Sequence, residues 1–183
     1  MSEATANKSI FTTKELVLIA MMTAVTAVCS WISVRLPMHV PVTLQTFAVF
    51  CTLALLGGRN GTFSVITYIL LGAVGLPVFS GFSGGLSALM SYSGGYITGF
   101  LFLALVYRAA ERFIGKSVTV RVISLVVGLA VCYAFGTAQF MLITKSGLGY
   151  ALSACVAPFV LIDLGKMALA LIIAERVRKY VGD

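Results

Sequence analysis

Two ionisable residues stand three positions apart in an otherwise apolar run near the end of the chain, Pro158-Phe-Val-Leu-Ile-Asp163-Leu-Gly-Lys166. On a helix, positions i and i+3 share a face, so the carboxylate and the ammonium are within reach of each other. An ionisable group in a membrane span costs at least about 2.5–3.5 kcal/mol at the bilayer centre, and such groups usually face a cavity or a partner. Two readings follow. In one, Asp163 and Lys166 form an intramembrane ion pair that fixes helix packing. In the other, Asp163 accepts hydrogen bonds from the N–H groups of a ligand while Lys166 meets its carbonyl or an anionic group. With a helix starting near Pro158, Asp163 lies about 8 Å below that end, which suits a site filled from outside.

No other residue set offers chemistry of comparable weight. There is no G-x-S-x-G, no H-E-x-x-H, no P-loop and no serine–histidine pairing, so neither catalysis nor ATP binding by that route is expected. Cys29, Cys51, Cys132 and Cys155 lie in apolar runs without C-x-x-C spacing and read as buried small hydrophobes, so no metal site and no cofactor are expected. His39, the one histidine, falls between Pro37 and Pro41 and reads as a loop residue.

The elements that would carry the pair come from composition. Of 183 residues, 60% are hydrophobic and 10% charged, whereas a soluble domain carries about 25% charged residues. That excludes a cytosolic domain, a disordered tail and a coiled coil. One helical crossing takes about 20 residues, so six crossings would use most of the chain. The charges act as punctuation. Leu16–Val34 is an uncharged run, as are Leu36–Gly58, Asn60–Tyr107 and Val122–Thr144. The longest of these is divided by a glycine-rich centre. The reading is a single domain over 1–183, an all-α membrane protein of six helices spanning about 15–34, 43–57, 60–76, 93–108, 121–144 and 157–175. The first apolar run is too long for a signal-peptide core and lacks a small-residue cleavage site, so no cleavable leader is expected.

Lysine and arginine placement sets the orientation. With the N-terminus in the cytoplasm, ten of the 13 fall inside: Lys8, Lys14, Arg59, Arg108, Arg112, Lys116, Arg121, Arg176, Arg178 and Lys179. Arg35 and Lys145 fall outside, and Lys166 lies within a span. Both termini are therefore expected in the cytoplasm. The net charge of +7 becomes a topology signal and an attraction to the lipid bilayer, with no nucleic-acid partner needed.

The outer connections are Arg35–Val42, Pro77–Tyr92 and Lys145–Ala157. The second begins Pro77-Val-Phe-Ser-Gly-Phe-Ser-Gly-Gly85, uncharged and presenting amides, hydroxyls and the rings of Phe79 and Phe82. Non-helical backbone at membrane depth is tolerated where it is buried in protein or lines a cavity. The segment reads either as a turn that only packs or as a cap over a ligand. Ala20, Ala24 and Ala27, with Thr23 beside them, form a small-residue strip on the first helix that admits close approach of another helix; packing within the bundle is the competing reading. Gly95-x-x-x-Gly99 offers the same to the fourth helix. Trp31 reads as an interfacial anchor, and Arg35 as a snorkelling cation or an attractor of an anionic ligand.

With these residues in place, the sequence closely resembles the biotin-specific S components of energy-coupling-factor (ECF) transporters, the BioY family. The resemblance runs from about Thr13 to Val177. It rests on the alanine strip, on Val40-Pro-Val-Thr-Leu-Gln-Thr46, on Gly72-Ala-Val-Gly-Leu-Pro-Val-Phe-Ser-Gly-Phe-Ser-Gly-Gly85, on Gly94-Gly-Tyr-Ile-Thr-Gly-Phe100, and on Pro158-Phe with Asp163 and Lys166. One departure is visible: Ser91-Tyr-Ser-Gly-Gly-Tyr96 stands where the family often has Gly-Pro-Thr-Gly-Gly-Tyr.

The resemblance implies a substrate-capture subunit in a bacterial or archaeal plasma membrane that binds biotin on the outer face. It implies docking through Ala20, Thr23, Ala24 and Ala27 to a transmembrane coupling protein that works with two ATP-binding-cassette ATPases, and toppling of the subunit to deliver the vitamin. For such a ligand, Asp163 suits the ureido N–H donors and Lys166 the ureido carbonyl. Phe79, Phe82 and Tyr96 offer apolar faces for the bicyclic rings. Thr43, Gln45 and Ser83, with the backbone at Gly84, offer hydrogen bonds, and Arg35 is a candidate for the valerate carboxylate. The competing functional reading is a self-sufficient carrier for a small anionic vitamin, facilitative or gradient-coupled, with Asp163 titrating.

Overall fold

Thr12 starts the bundle. Its hydroxyl accepts from the Glu15 amide at 3.2 Å while the Glu15 carboxylate accepts from the Thr12 amide at 2.8 Å, a reciprocal cap that opens α1 (Thr13–Trp31). The structure, a computed structural model, describes residues 10–34 and 40–181. Lys8, Arg35 and His39, with the roles read for them above, lie outside the described residues.

After α1, a short antiparallel pair, β1 (Ser33–Val34) and β2 (Val42–Thr43), leads into α2 (Gln45–Ala73). Within α2 the chain turns back on itself. Gly57 has φ 75° and ψ 173°, a conformation that only glycine adopts readily, and the helix resumes in the opposite direction. The reversal sets Gly61 against Leu53, where an added Cβ would lie 3.1 Å from the Leu53 Cα, and lets Gln45 Nε2 donate to the Tyr68 hydroxyl at 2.9 Å. Residues 45–56 and 58–73 are thus two antiparallel helices. With α1, α4 (Gly94–Phe113), α5 (Val118–Thr144) and α7 (Ala157–Val181) they make the six long helices read from the sequence.

Four helical stretches, Thr13–Trp31, Gln45–Ala73, Val118–Thr144 and Leu148–Lys179, are long and apolar enough to cross a membrane. Their outward faces are apolar as well: Leu16, Val17 and Met21 on α1, Ile123 and Val127 on α5, and Leu161, Leu169 and Ile172 on α7 are all exposed. An oily exterior of that extent fits lipid as the surrounding medium. The interior is built where α2, α4, α5 and α7 meet, around the fully buried Val49, Leu53, Leu103, Tyr107, Leu125 and Ala170.

Two further helices escape the sequence reading. α3 (Leu86–Leu89) closes the glycine-rich segment, and α6 (Leu148–Cys155) lies in the connection read above as Lys145–Ala157. Both belong to the end of the bundle that carries β1, β2 and Asp163. The opposite end carries the α2 reversal, the α4–α5 turn and the C-terminal half of α7, where the described basic residues concentrate.

Candidate functional site

Asp163 and Lys166 sit in the first turns of α7 and point into the bundle, their side chains 4% and 11% exposed. Lys166 Nζ donates to Asp163 Oδ1 at 2.8 Å, to the Thr46 hydroxyl at 3.0 Å and to the Thr43 carbonyl at 2.7 Å. An ammonium has three protons, so this set occupies all of them. The Thr46 hydroxyl in turn donates to Asp163 Oδ1 at 2.9 Å, and the Tyr133 hydroxyl donates to Oδ2 at 2.8 Å. A buried charge is tolerable when paired and hydrogen-bonded, and here both charges are. A carboxylate offers about four lone-pair sites; three are used, and the remaining one belongs to Oδ2.

This cluster forms the polar wall of a pocket that encloses about 680 Å³ of unfilled space, its mouth included. Facing the ion pair are Phe79, Tyr96, Ile97, Phe100, Leu129 and Phe159, so the remainder of the wall is largely apolar. Opposite charges 2.8 Å apart leave the site neutral overall. Such a lining suits a compact, uncharged ring system that carries a few N–H and C=O groups.

The segment between α2 and α4 roofs the pocket. Phe79 is 1% exposed and packs edge-on against Tyr68, and its amide donates to the Ser83 carbonyl at 3.0 Å. The Val78 carbonyl accepts from Ser30 and from Tyr68, at 2.5 and 2.9 Å. Trp31 Nε1 donates to the Pro77 carbonyl at 2.8 Å, and its ring stacks on Phe82, with centroids 4.9 Å apart. Trp31 therefore fastens the roof to α1. Gly84 is where the roof folds most tightly: an added Cβ would lie 2.3 Å from the Leu76 carbonyl oxygen. The turn before α4 is held from α5, where Gln139 Nε2 donates to the Leu89 and Ser91 carbonyls at 2.7 and 2.9 Å.

Of the residues singled out from the sequence, Thr43, Gln45, Phe79, Ser83, Tyr96, Asp163 and Lys166 line this one pocket. Phe82 does not: at 64% exposure and φ 57° it lies outside, against Trp31. Gly84 does not line it either and belongs to the fold of the roof. Tyr96 has a second duty, its hydroxyl donating to the Cys155 carbonyl at 2.8 Å and tying α4 to α6. Thr46 and Tyr133 complete the cluster, though the sequence reading assigns neither a role in the site. For Thr46 a signal was available, since it directly follows Gln45 in the quoted Val40–Thr46 segment; Tyr133 had none.

The small residues of α1 divide. Ala20 and Ala24 are exposed, whereas Thr23 and Ala27 are buried, Thr23 donating to the Ile19 carbonyl at 2.8 Å and meeting Ser64. All four nevertheless edge one shallow apolar groove with Val28, Trp31, Thr67, Leu71 and Val78.

The BioY family profile matches residues 2–183. The biotin transporter BioY of Thermotoga maritima is 40% identical over 91% of this chain and 96% of its own. The probable biotin transporter BioY of Pyrococcus horikoshii is 38% identical over 90% and 96%, respectively. Among solved structures, the S-component for biotin from an ECF-type ABC transporter superposes with a TM-score of 0.82 at 26% identity, covering 91% of each chain.

Proposed function

The chain belongs to the BioY family, and on that footing we propose that it is the biotin-binding, membrane-embedded substrate-capture subunit of an ATP-driven vitamin importer. The observation that supports this most is the neutral Asp163–Lys166 cluster set in an apolar pocket at one end of the bundle. Biotin presents a ureido ring with two N–H donors and one carbonyl, a thioether ring and a valerate carboxylate. A ureido N–H would donate to the spare lone pair of Asp163 Oδ2. The ureido carbonyl would draw a proton of Lys166 away from Thr43 or Thr46, since none is free. Phe79, Tyr96, Phe100 and Phe159 would take the apolar rings, and the carboxylate would lie toward Ser80 and Ser83 at the mouth.

In this reading the end carrying Asp163 faces outward and both termini are cytoplasmic, as the placement of lysine and arginine favours. The subunit carries no ATPase of its own. It docks to a transmembrane coupling protein and two ATP-binding-cassette ATPases through the groove edged by Ala20 and Ala24.

Reconstitution separates this reading from a self-sufficient carrier. The purified chain in proteoliposomes is expected to bind labelled biotin by itself and to accumulate it only when the coupling protein, the ATPases and ATP are supplied. Accumulation by the chain alone under a pH gradient would favour the carrier, and absence of biotin binding would contradict the proposed function.

A further inference from the structure

At the end of the bundle away from Asp163, a second groove runs between the α2 reversal (Gly57, Gly58, Arg59, Asn60), the last turns of α4 (Arg108, Glu111, Arg112), Lys116 of the α4–α5 turn, and Glu15 of α1. It encloses about 860 Å³, open side included. Four cations and two carboxylates line it, an excess of positive charge, and of the carboxylates only Glu15 stands beside a cation. Glu15 accepts from Thr12 and from Asn60 Nδ2 at 3.1 Å and stands 3.7 Å from Arg59. Glu111 Oε2 accepts from the Gly58 amide. Arg59 is also held, donating to the Ile10 carbonyl and lying 4.6 Å over the Phe11 ring. Arg108, Arg112 and Lys116 form no ion pair among the described residues. Three cations without an ion pair thus share one concave surface with the Glu111 carboxylate, and the groove keeps an excess of positive charge.

The surroundings decide what they meet. Immediately beside the cations, Phe113 is 81% exposed and Ile114 75%, with Val118 following at 53%. Ile10, on the far side of Arg59, is 76% exposed. Apolar side chains so open to the outside, in direct sequence with arginine and lysine, belong where acyl chains give way to headgroups. A guanidinium pair at i and i+4 presents planar donor forks that match phosphate oxygens. Basic pockets between helices at this level bind anionic headgroups.

We propose that this groove is a binding site for the phosphate of an anionic membrane phospholipid, with Arg108, Arg112 and Lys116 as its ligands and Phe113 and Ile114 against the acyl chains. The site is separate from the biotin pocket, and the proposal does not depend on what that pocket holds.

Native mass spectrometry of the detergent-purified chain, titrated with phosphatidylglycerol or phosphatidylcholine, tests it. Retention of phosphatidylglycerol over phosphatidylcholine is expected. Arg112→Gln, on the exposed rim, should weaken retention about tenfold, the loss expected when one charge-assisted contact goes. Arg108→Gln/Arg112→Gln/Lys116→Gln should abolish the preference. Arg176→Gln/Arg178→Gln/Lys179→Gln, which removes equal charge from the end of α7, should leave it unchanged. Circular dichroism and gel filtration establish folding, and Arg112→Gln serves if the triple variant fails. Equal weakening by the α7 variant would mean unspecific charge attraction and would overturn the proposal. Displacement of the lipid by millimolar inorganic phosphate would move the site to a soluble anion and do the same. So would unaltered lipid retention combined with lost co-purification of the coupling protein and ATPases, which would make the groove a protein dock.

Discussion

Within the pocket, the decisive fact is that Lys166 is fully engaged by Asp163, Thr46 and the Thr43 carbonyl while Asp163 Oδ2, held by Tyr133, keeps one acceptor site open. Replacing Asp163 by Asn keeps the shape, removes a charge-assisted acceptor and leaves Lys166 buried beside an amide. Biotin affinity should fall by at least about 1.5 kcal/mol, measured by equilibrium binding. Tyr133→Phe is a milder probe: it deletes one donor to Oδ2 and preserves the ring, so a loss of about 1 kcal/mol is expected in the same assay. An unaltered affinity in both variants would assign the cluster to helix packing. Asp163 and Lys166 were legible in the sequence because opposite charges one helical turn apart are conspicuous in an apolar run. Thr46 and Tyr133 were not, since threonine and tyrosine are ordinary in membrane helices and meet Asp163 across 117 and 30 residues of chain. Phe82 shows the converse: an aromatic in the right segment, turned outward by a left-handed backbone.

Among the elements, α1 and α4 make different use of small residues. Ala20→Leu or Ala24→Leu adds bulk at an exposed position of the α1 groove, so biotin binding should persist while ATP-driven uptake is lost. Loss of binding instead would show that this face packs within the bundle. On α4 the small residues are internal. A Cβ at Gly95 would lie 2.6 Å from the Phe135 carbonyl oxygen of α5, so Gly95→Ala should destabilise the bundle by about 1–3 kcal/mol, seen as a lowered melting temperature in detergent. The long helices were legible because charge is so scarce that, Lys166 apart, the lysines and arginines gather near helix ends, and Gly57-Gly58-Arg59 marks the reversal inside α2. α3 and α6 were hidden because their 4 and 8 residues have the composition of the loops and spans around them.

For the molecule as a whole, the two ends divide the work: a nearly uncharged end that holds the pocket, and a basic end that meets the other leaflet. Orientation can be read directly. Gly147→Cys, where an added Cβ meets nothing within 4 Å, should react with an impermeant maleimide from outside intact cells. Lys179→Cys, at the opposite end, should react only after permeabilisation. The reverse pattern would invert the topology. The central claim, a pocket that selects a ureido ring by means of Asp163, is tested most directly by titrating the purified chain with biotin, desthiobiotin and lipoate. Biotin and desthiobiotin, which share the ureido group, should bind to the wild-type chain and lose affinity together in Asp163→Asn, while lipoate, which lacks it, should bind to neither. Lipoate binding as tightly as biotin, or biotin affinity indifferent to Asp163→Asn, would contradict it.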